Sequence, residues 1–291
     1  MLAALAAIWG SSFMFITIAL RELEPAALIE GRFVFGLAAL APVIMLSPAR
    51  AATLTSIRRT FAPLAGAALL NATVPFFLIA WGQQFIDSGL TGILIASSPL
   101  FTAAAAVVYD PRERVGGMRL LGVVTGFAGV ALLLGVQPQA GADALLGSLA
   151  VLAASVLYAM SGLYVGRRLQ GEPRLAVAAG TILWAVALTL PLALAQLPPE
   201  PPGRETLAAL AALGVGGTAI GYLLYFGLIA GAGASRAILV NYVVPAIAVA
   251  YGVVLLDEPV TASMVGGLGL ILAGVAIGTG VVGASRRAGG A

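Results

Sequence analysis

Apolar and polar positions along this chain separate into ten apolar stretches of roughly twenty residues, with the charges falling almost entirely between them. About 20 residues of helix, rising about 1.5 Å each, cross a hydrocarbon core of about 30 Å. Each stretch therefore predicts a membrane-spanning helix. The predicted spans are 2–20, 26–46, 62–82, 89–109, 119–136, 146–166, 175–195, 206–229, 236–256 and 260–282. Pro, Gly and charge clusters separate them, and the run Leu197 to Gly203 (LPPEPPG) reads as a stiff surface loop. The fold class predicted is an all-α polytopic membrane protein with no soluble domain. No positively charged leader or convincing cleavage site precedes the first span, which is expected to be retained.

Charge sets the orientation. With the N-terminus in the cytoplasm, the cytoplasmic loops and tail hold Arg50, Arg58, Arg59, Arg112, Arg114, Arg119, Arg167, Arg168, Arg174, Arg236, Arg286 and Arg287. The other side holds Arg21 and Arg204, with Arg32 near a membrane edge. This 12-to-2 bias predicts both termini inside. The pI of about 9.6 then reflects orientation in a lipid bilayer and calls for no nucleic-acid partner. Mean hydropathy of +1.05 and 9% charged residues agree, since soluble domains carry about 25%.

The chain has no Cys, no His and no Lys. Catalytic triads, Cys nucleophiles, His-containing zinc sites and an ATP-binding P-loop lysine are excluded. The acids lie in or beside loops, with Glu30 alone placed inside a span, so no carboxylate dyad is available. Neither enzyme activity, cofactor nor metal is predicted. Gly214, Gly216 and Ala219 fit a loose dinucleotide fingerprint, but inside an apolar span helix packing explains them better.

The two halves repeat. One spacing brings Gly31 onto Gly180, Phe35 onto Trp184 and Pro42 onto Pro191. A second brings Gly122, Gly129, Val130 and Ala131 onto Gly267, Gly274, Val275 and Ala276. Between them Pro99 matches Pro245, and Glu113 matches Glu258. The prediction is two five-helix repeats, 1–137 and 138–291. Because five is odd, the second repeat enters from the opposite face, an inverted arrangement suited to alternating access.

Pro75, Pro99 and Pro245 lie mid-span and release the carbonyls of Asn71, Ile95 and Asn241, four residues earlier. They are candidate hinges. Asn71 and Asn241 either repair these kinks or line a cavity at the repeat interface; the two readings are compatible. The deep aromatics Trp9, Phe76, Tyr158 and Tyr222 are candidate lining residues, since buried indole and phenol groups need polar partners. Glu30 and Arg32 read as anchors near the membrane edge, by snorkelling or a local ion pair, with a substrate carboxylate contact for Arg32 as the alternative. Gly122/Gly126, Gly162/Gly166, Gly217/Gly221 and Gly274/Gly278 have the small-xxx-small spacing of close helix packing.

Trp9-Gly10-Ser11-Ser12-Phe13 in the first span, Arg32-Phe33 in the second and acidic turns around Glu113 and Glu258 resemble the drug/metabolite transporter superfamily, in its ten-helix EamA branch. The turns also have a plain reading, an acid favouring the N-terminus of the helix it precedes. Within that branch the chain looks like the YddG-type exporters of aromatic and other neutral amino acids. The resemblance implies alternating-access transport of a small molecule without ATP, with Trp9, Phe76, Ser98, Tyr158 and Asn241 around the substrate. The first span lacks the glutamate that short multidrug members use for proton exchange, leaving facilitated diffusion and antiport both open. Transport of drugs, sugars or nucleotide sugars is the alternative function, and a non-transporting scaffold or sensor a third.

Overall fold

Without charge or persistent polar breaks, the apolar stretches satisfy their backbone within helices, the only open-chain solution in lipid. A computed structural model describes residues 1–109, 117–135, 141–232 and 239–278. Glu113, Arg112, Arg114, Arg236, Arg286 and Arg287 lie outside these residues. The helices are α1 (Leu2–Ala19), α2 (Pro25–Leu46), α3 (Arg50–Arg59), α4 (Phe61–Gly82), α5 (Ser88–Ile95), α6 (Ser98–Tyr109), α7 (Gly117–Gly135), α8 (Ala142–Arg168), α9 (Arg174–Ala195), α10 (204–232), α11 (Val240–Leu256) and α12 (Ala262–Gly278). Six of the described helices are long and apolar enough to cross a membrane, and shorter apolar helices fill the remaining predicted spans. The chain is an all-α polytopic membrane protein. Leu46, at 85% exposure, and Val254, at 73%, belong to the apolar outer surface such a chain turns to lipid.

Three features depart from the predicted spans. First, α3 is a helix where the sequence reading left a loop. It carries Arg58 and Arg59 in its last turn and buries Thr53 and Ser56, a short pattern with too little apolar surface to register as a span. Second, the predicted helix 89–109 is interrupted at Ala96–Ser97. Pro99 cannot bond the Ile95 carbonyl, and the Ser98 hydroxyl donates to it instead at 2.7 Å. Ser97 and Ser155 hydroxyls both donate to the Leu94 carbonyl, at 2.6 and 3.2 Å. Third, α4 and α10 each contain a widened π-helical segment, Leu69–Thr73 and Ala212–Ile220. In α4 it immediately precedes Pro75, and the Val74 N–H bonds the Leu69 carbonyl five residues back. In α10 no proline is present; the segment is ALGVGGTAI.

Helix α1 packs on α10 and α11, α2 on α9 and α10, α4 on α8 and α9, α8 also on α5 and α6, α5 on α11, and α7 on α12. Lipid supplies no hydrophobic drive between helices, so contact depends on small residues that admit close approach. A Cβ on Gly129 would sit 2.8 Å from the Gly267 carbonyl oxygen, and one on Gly274 only 2.6 Å from the Gly122 oxygen. Gly214 abuts α2 at Phe35 and the Arg32 carbonyl, as packing requires. Gly162 and Gly166 do not follow: nothing lies within 4 Å of a Cβ on either, because that face of α8 borders open space.

The loops opposite Met1 are cross-linked. Glu22 accepts the Gly203 N–H at 2.6 Å, Arg21 pairs with Glu205 at 3.2 Å, and Gln196 accepts the Ala26 N–H at 2.8 Å. Helix α11 ends at Asp257 in the left-handed region, φ 55°, which turns the chain and delivers Glu258 to α5. The Glu258 carboxylate accepts the Ser88 and Gly89 N–H groups at 2.8 and 2.9 Å. It thus caps α5 and not the helix it precedes. Asp87, beside this cap, has its pKa raised by burial and by the Glu258 charge. At the Met1 end, Glu172 accepts from Ser56 at 2.7 Å and pairs with Arg59 at 2.7 Å, tying α3 to the α8–α9 turn. The Ser56 hydrogen bond, then Arg59, hold the Glu172 carboxyl below its ordinary value.

Candidate functional site

A cavity of about 540 Å³ lies among α1, α2, α4, α5, α6, α8, α9, α10 and α11. Trp9, Asn71, Phe76, Ser98, Tyr158, Tyr222 and Asn241 all line it, as do Pro99 and Pro245. Pro75 does not; it is buried just beyond the π-helical segment that brings Asn71 to the wall. Pro245 lies inside a continuous helix, whereas Pro99 follows a two-residue turn, Ala96–Ser97. The two prolines, matched in sequence, thus have different local outcomes.

Three of the polar groups on the wall are already committed. The Trp9 indole N–H donates to the Gly217 carbonyl at 3.1 Å, so this ring offers the cavity its π surface and no free donor. The Asn71 amide donates to the Tyr222 hydroxyl at 3.3 Å. Ser98 spends its hydrogen on Ile95, keeping its oxygen as an acceptor. The Asn241 side chain makes no hydrogen bond among the described residues. Phe76 stacks on Phe33 at 5.6 Å and meets Tyr158 edge-on at 6.4 Å, and Tyr225 covers Trp9 at 5.4 Å. This part of the wall is therefore aromatic, with amide and hydroxyl groups between rings.

Arg32 also faces this cavity. It does not snorkel to the surface, and neither does Glu30: they are 7% and 9% exposed. Nor do they pair, because residues two apart point about 200° away from each other around a helix. Arg32 Nε donates to Thr218 Oγ1 at 3.2 Å, and its guanidinium lies 4.2 Å from the Phe76 ring centroid. Tyr225, one of the deep aromatics of the sequence, lines the cavity too, whereas Gly217, Thr218 and Ser12 were missed as lining residues. The α10 π-helical segment turns Gly217 and Thr218 inward, and without a proline the sequence carries only its glycine richness as a signal.

The cavity ends differ. Opposite Met1, its wall residues Ile16, Leu28, Ile29 and Ile79 are at most 4% exposed. Toward the Met1 end, Val165 and Val177 are half-buried and Gly162 is exposed. Among the described residues no three His, Cys, Asp or Glu side chains gather to hold a metal.

Known proteins resemble this chain along nearly its whole length. It is 28% identical over 275 residues to the uncharacterized inner membrane transporter YedA of Escherichia coli K12, covering 91% of this chain and 81% of that one. It is 25% identical over 285 residues to a probable amino-acid metabolite efflux pump of Salmonella typhimurium, covering 93% and 90%. A solved crystal structure shares the fold with a TM-score of 0.68, at 22% identity and 95% coverage of each chain. The apolar helices and these relatives make it a multi-pass protein of the bacterial inner membrane. The EamA-like transporter family matches residues 1–135 and 145–279, and the chain belongs to that family of small-molecule transporters, which are not enzymes.

Proposed function

We propose that this protein exports or exchanges aromatic and other neutral amino acids, or closely related metabolites, by alternating access. The observation that carries the reading is the cavity wall. Trp9, Phe76, Tyr158, Tyr222 and Tyr225 suit an apolar or aromatic side chain, and Asn241 offers donor and acceptor to either end of a zwitterion. Its volume falls within the about 300–1,000 Å³ usual for small-molecule sites. The efflux-pump name of the Salmonella relative points the same way.

The architecture in this proposal is ten transmembrane helices as two inverted repeats, 1–137 and 138–291, with both termini cytoplasmic. Several observations support it. The family matches two segments of equal length. Exchanging α1 with α8, α2 with α9, α4 with α10, α5/α6 with α11 and α7 with α12 carries each of the helix pairings named above onto another of them or onto itself. The two π-helical segments fall in exchanged partners, α4 and α10. With the Met1 end inside, the cavity's exposed end faces the cytoplasm, an inward-facing state.

The test is uptake and counterflow in proteoliposomes with labelled amino acids, amines and sugars. Saturable, aromatic-preferring movement is expected. Trp9→Ala should weaken aromatic substrates more than small ones, by about 1 kcal/mol. Asn241→Ala should weaken all of them, by about 1–3 kcal/mol. An unaltered competition profile in both folded variants removes these residues from the site, and movement of amines or sugars alone replaces the substrate class.

A further inference from the structure

Arg32 is a guanidinium held inside a membrane protein without a counter-ion. It is 93% buried, and no carboxylate among the described residues pairs with it. Glu30 does not line the cavity, and its Oε2 has no hydrogen-bond partner. An unpaired charge is costly in such surroundings, and an intramembrane cation that faces a cavity marks a ligand path.

The surroundings fix this group in one orientation. Thr218 Oγ1 accepts from Nε at 3.2 Å while donating to the Leu213 carbonyl, five residues back, at 3.1 Å. That back-bond follows the widened path of the π-helical segment and sets the hydroxyl lone pairs toward Arg32. Phe76 covers the guanidinium at 4.2 Å. Gly217 leaves the space beside Nη2 open: a Cβ there would stand 3.4 Å from Nη2 and 2.9 Å from Ser12 Oγ. With Nε committed, the terminal nitrogens retain four N–H donors, and no acceptor among the described residues takes them. A guanidinium edge of this kind matches the two oxygens of a carboxylate.

We infer that Arg32 is the anion site of this cavity, receiving the carboxylate of the transported molecule on its terminal nitrogens. The inference rests on the amino-acid reading for the rest of the substrate and narrows it: the ligand is a zwitterion or a carboxylic acid, not an amine or an uncharged sugar. Its carboxylate neutralises the buried cation, leaving Asn241 for the ammonium group and the aromatic wall for the side chain.

Binding to the purified, detergent-solubilised protein tests this, by calorimetry with L-phenylalanine, L-phenylalaninamide, 3-phenylpropanoate and 2-phenylethylamine. The two carboxylates are expected to bind at least tenfold more tightly than the amide and the amine. Arg32→Gln should reduce that preference to within threefold, and Arg32→Lys, which keeps the charge without the planar fork, should retain part of it; melting curves establish that each variant is folded. An amide bound as tightly as phenylalanine, or a preference that survives in Arg32→Gln, overturns the inference while leaving the amino-acid reading intact. Should Arg32→Gln not fold, the wild-type ratio and its partial retention in Arg32→Lys decide the matter. If 3-phenylpropanoate binds as tightly as phenylalanine, the ammonium is not recognised: the amino-acid reading falls and Arg32 keeps its role. Failure of all four probes to bind overturns both.

Discussion

Replacing Glu258 by Gln perturbs one charge at the junction of α11, α12 and α5. The carboxylate oxygens accept from Ser88 and Gly89 N–H groups at 2.8 and 2.9 Å, both at the N-terminus of α5. Glutamine offers one oxygen and one NH₂, so one of these N–H groups loses its acceptor. A hydrogen bond to a charged group contributes about 1.5–3 kcal/mol, and an anion at a helix N-terminus about 0.3–1 kcal/mol more. Relief of the repulsion with Asp87 offsets part of this loss, leaving a net weakening of about 2 kcal/mol. If the junction exists only while this end is closed, the closed-to-open equilibrium moves roughly thirtyfold, at about 1.4 kcal/mol per factor of ten. The chain has no cysteine, so, with the Met1 end cytoplasmic as proposed, a single Ile16→Cys on the buried end of the cavity reports opening to an impermeant maleimide added outside cells. Its labelling rate should rise roughly thirtyfold in Glu258→Gln while the open state is minor. A rate within about twofold of the parent, in a variant that melts normally, would refute the premise that this junction exists only while this end is closed.

Other outcomes follow from packing, charge and backbone. Gly274→Ala drives a Cβ into the Gly126 backbone and should cost about 1–3 kcal/mol in reversible unfolding, whereas Gly269→Ala, with nothing within 4 Å, should be neutral or stabilising by up to about 1 kcal/mol. The lowered pKa of Glu172 means that its tie to Ser56 and Arg59 is present above the ordinary carboxylate range and lost as pH falls through the lowered value. Spin labels at Ala52→Cys and Gln170→Cys should separate on such acidification, and in Glu172→Gln their distance should not respond to pH. Pro245→Ala restores a donor for the Asn241 carbonyl and stiffens α11. Turnover should fall about tenfold if half of the roughly 3 kcal/mol proline penalty appears in the barrier, with equilibrium binding less affected; unchanged turnover would exclude α11 as a moving part.

Periodicity and composition decided the helices, because lipid leaves a backbone without charge no alternative to internal hydrogen bonding. The predicted edges of α1, α2, α4 and α9 fall within a residue of those observed. Helix α3 escaped because only two of its ten residues are buried and its arginines resemble a loop. At the cavity, Trp9, Asn71, Phe76, Tyr158 and Asn241 were legible as aromatic or amide groups at span centres, where polarity is costly enough to stand out. Tertiary contact decided what those groups do. The Trp9 N–H is consumed by Gly217 and the Ser98 hydroxyl by Ile95; Pro99 marks the Ile95 carbonyl as free in the sequence, whereas nothing there marks the Gly217 carbonyl. Glu258 caps α5, a helix about 170 residues away in sequence, and Thr218 meets Arg32 across a similar separation. Residue identity sets how costly a buried polar group is; which partner relieves that cost depends on distances of about 3 Å between helices, and one-dimensional order does not contain them.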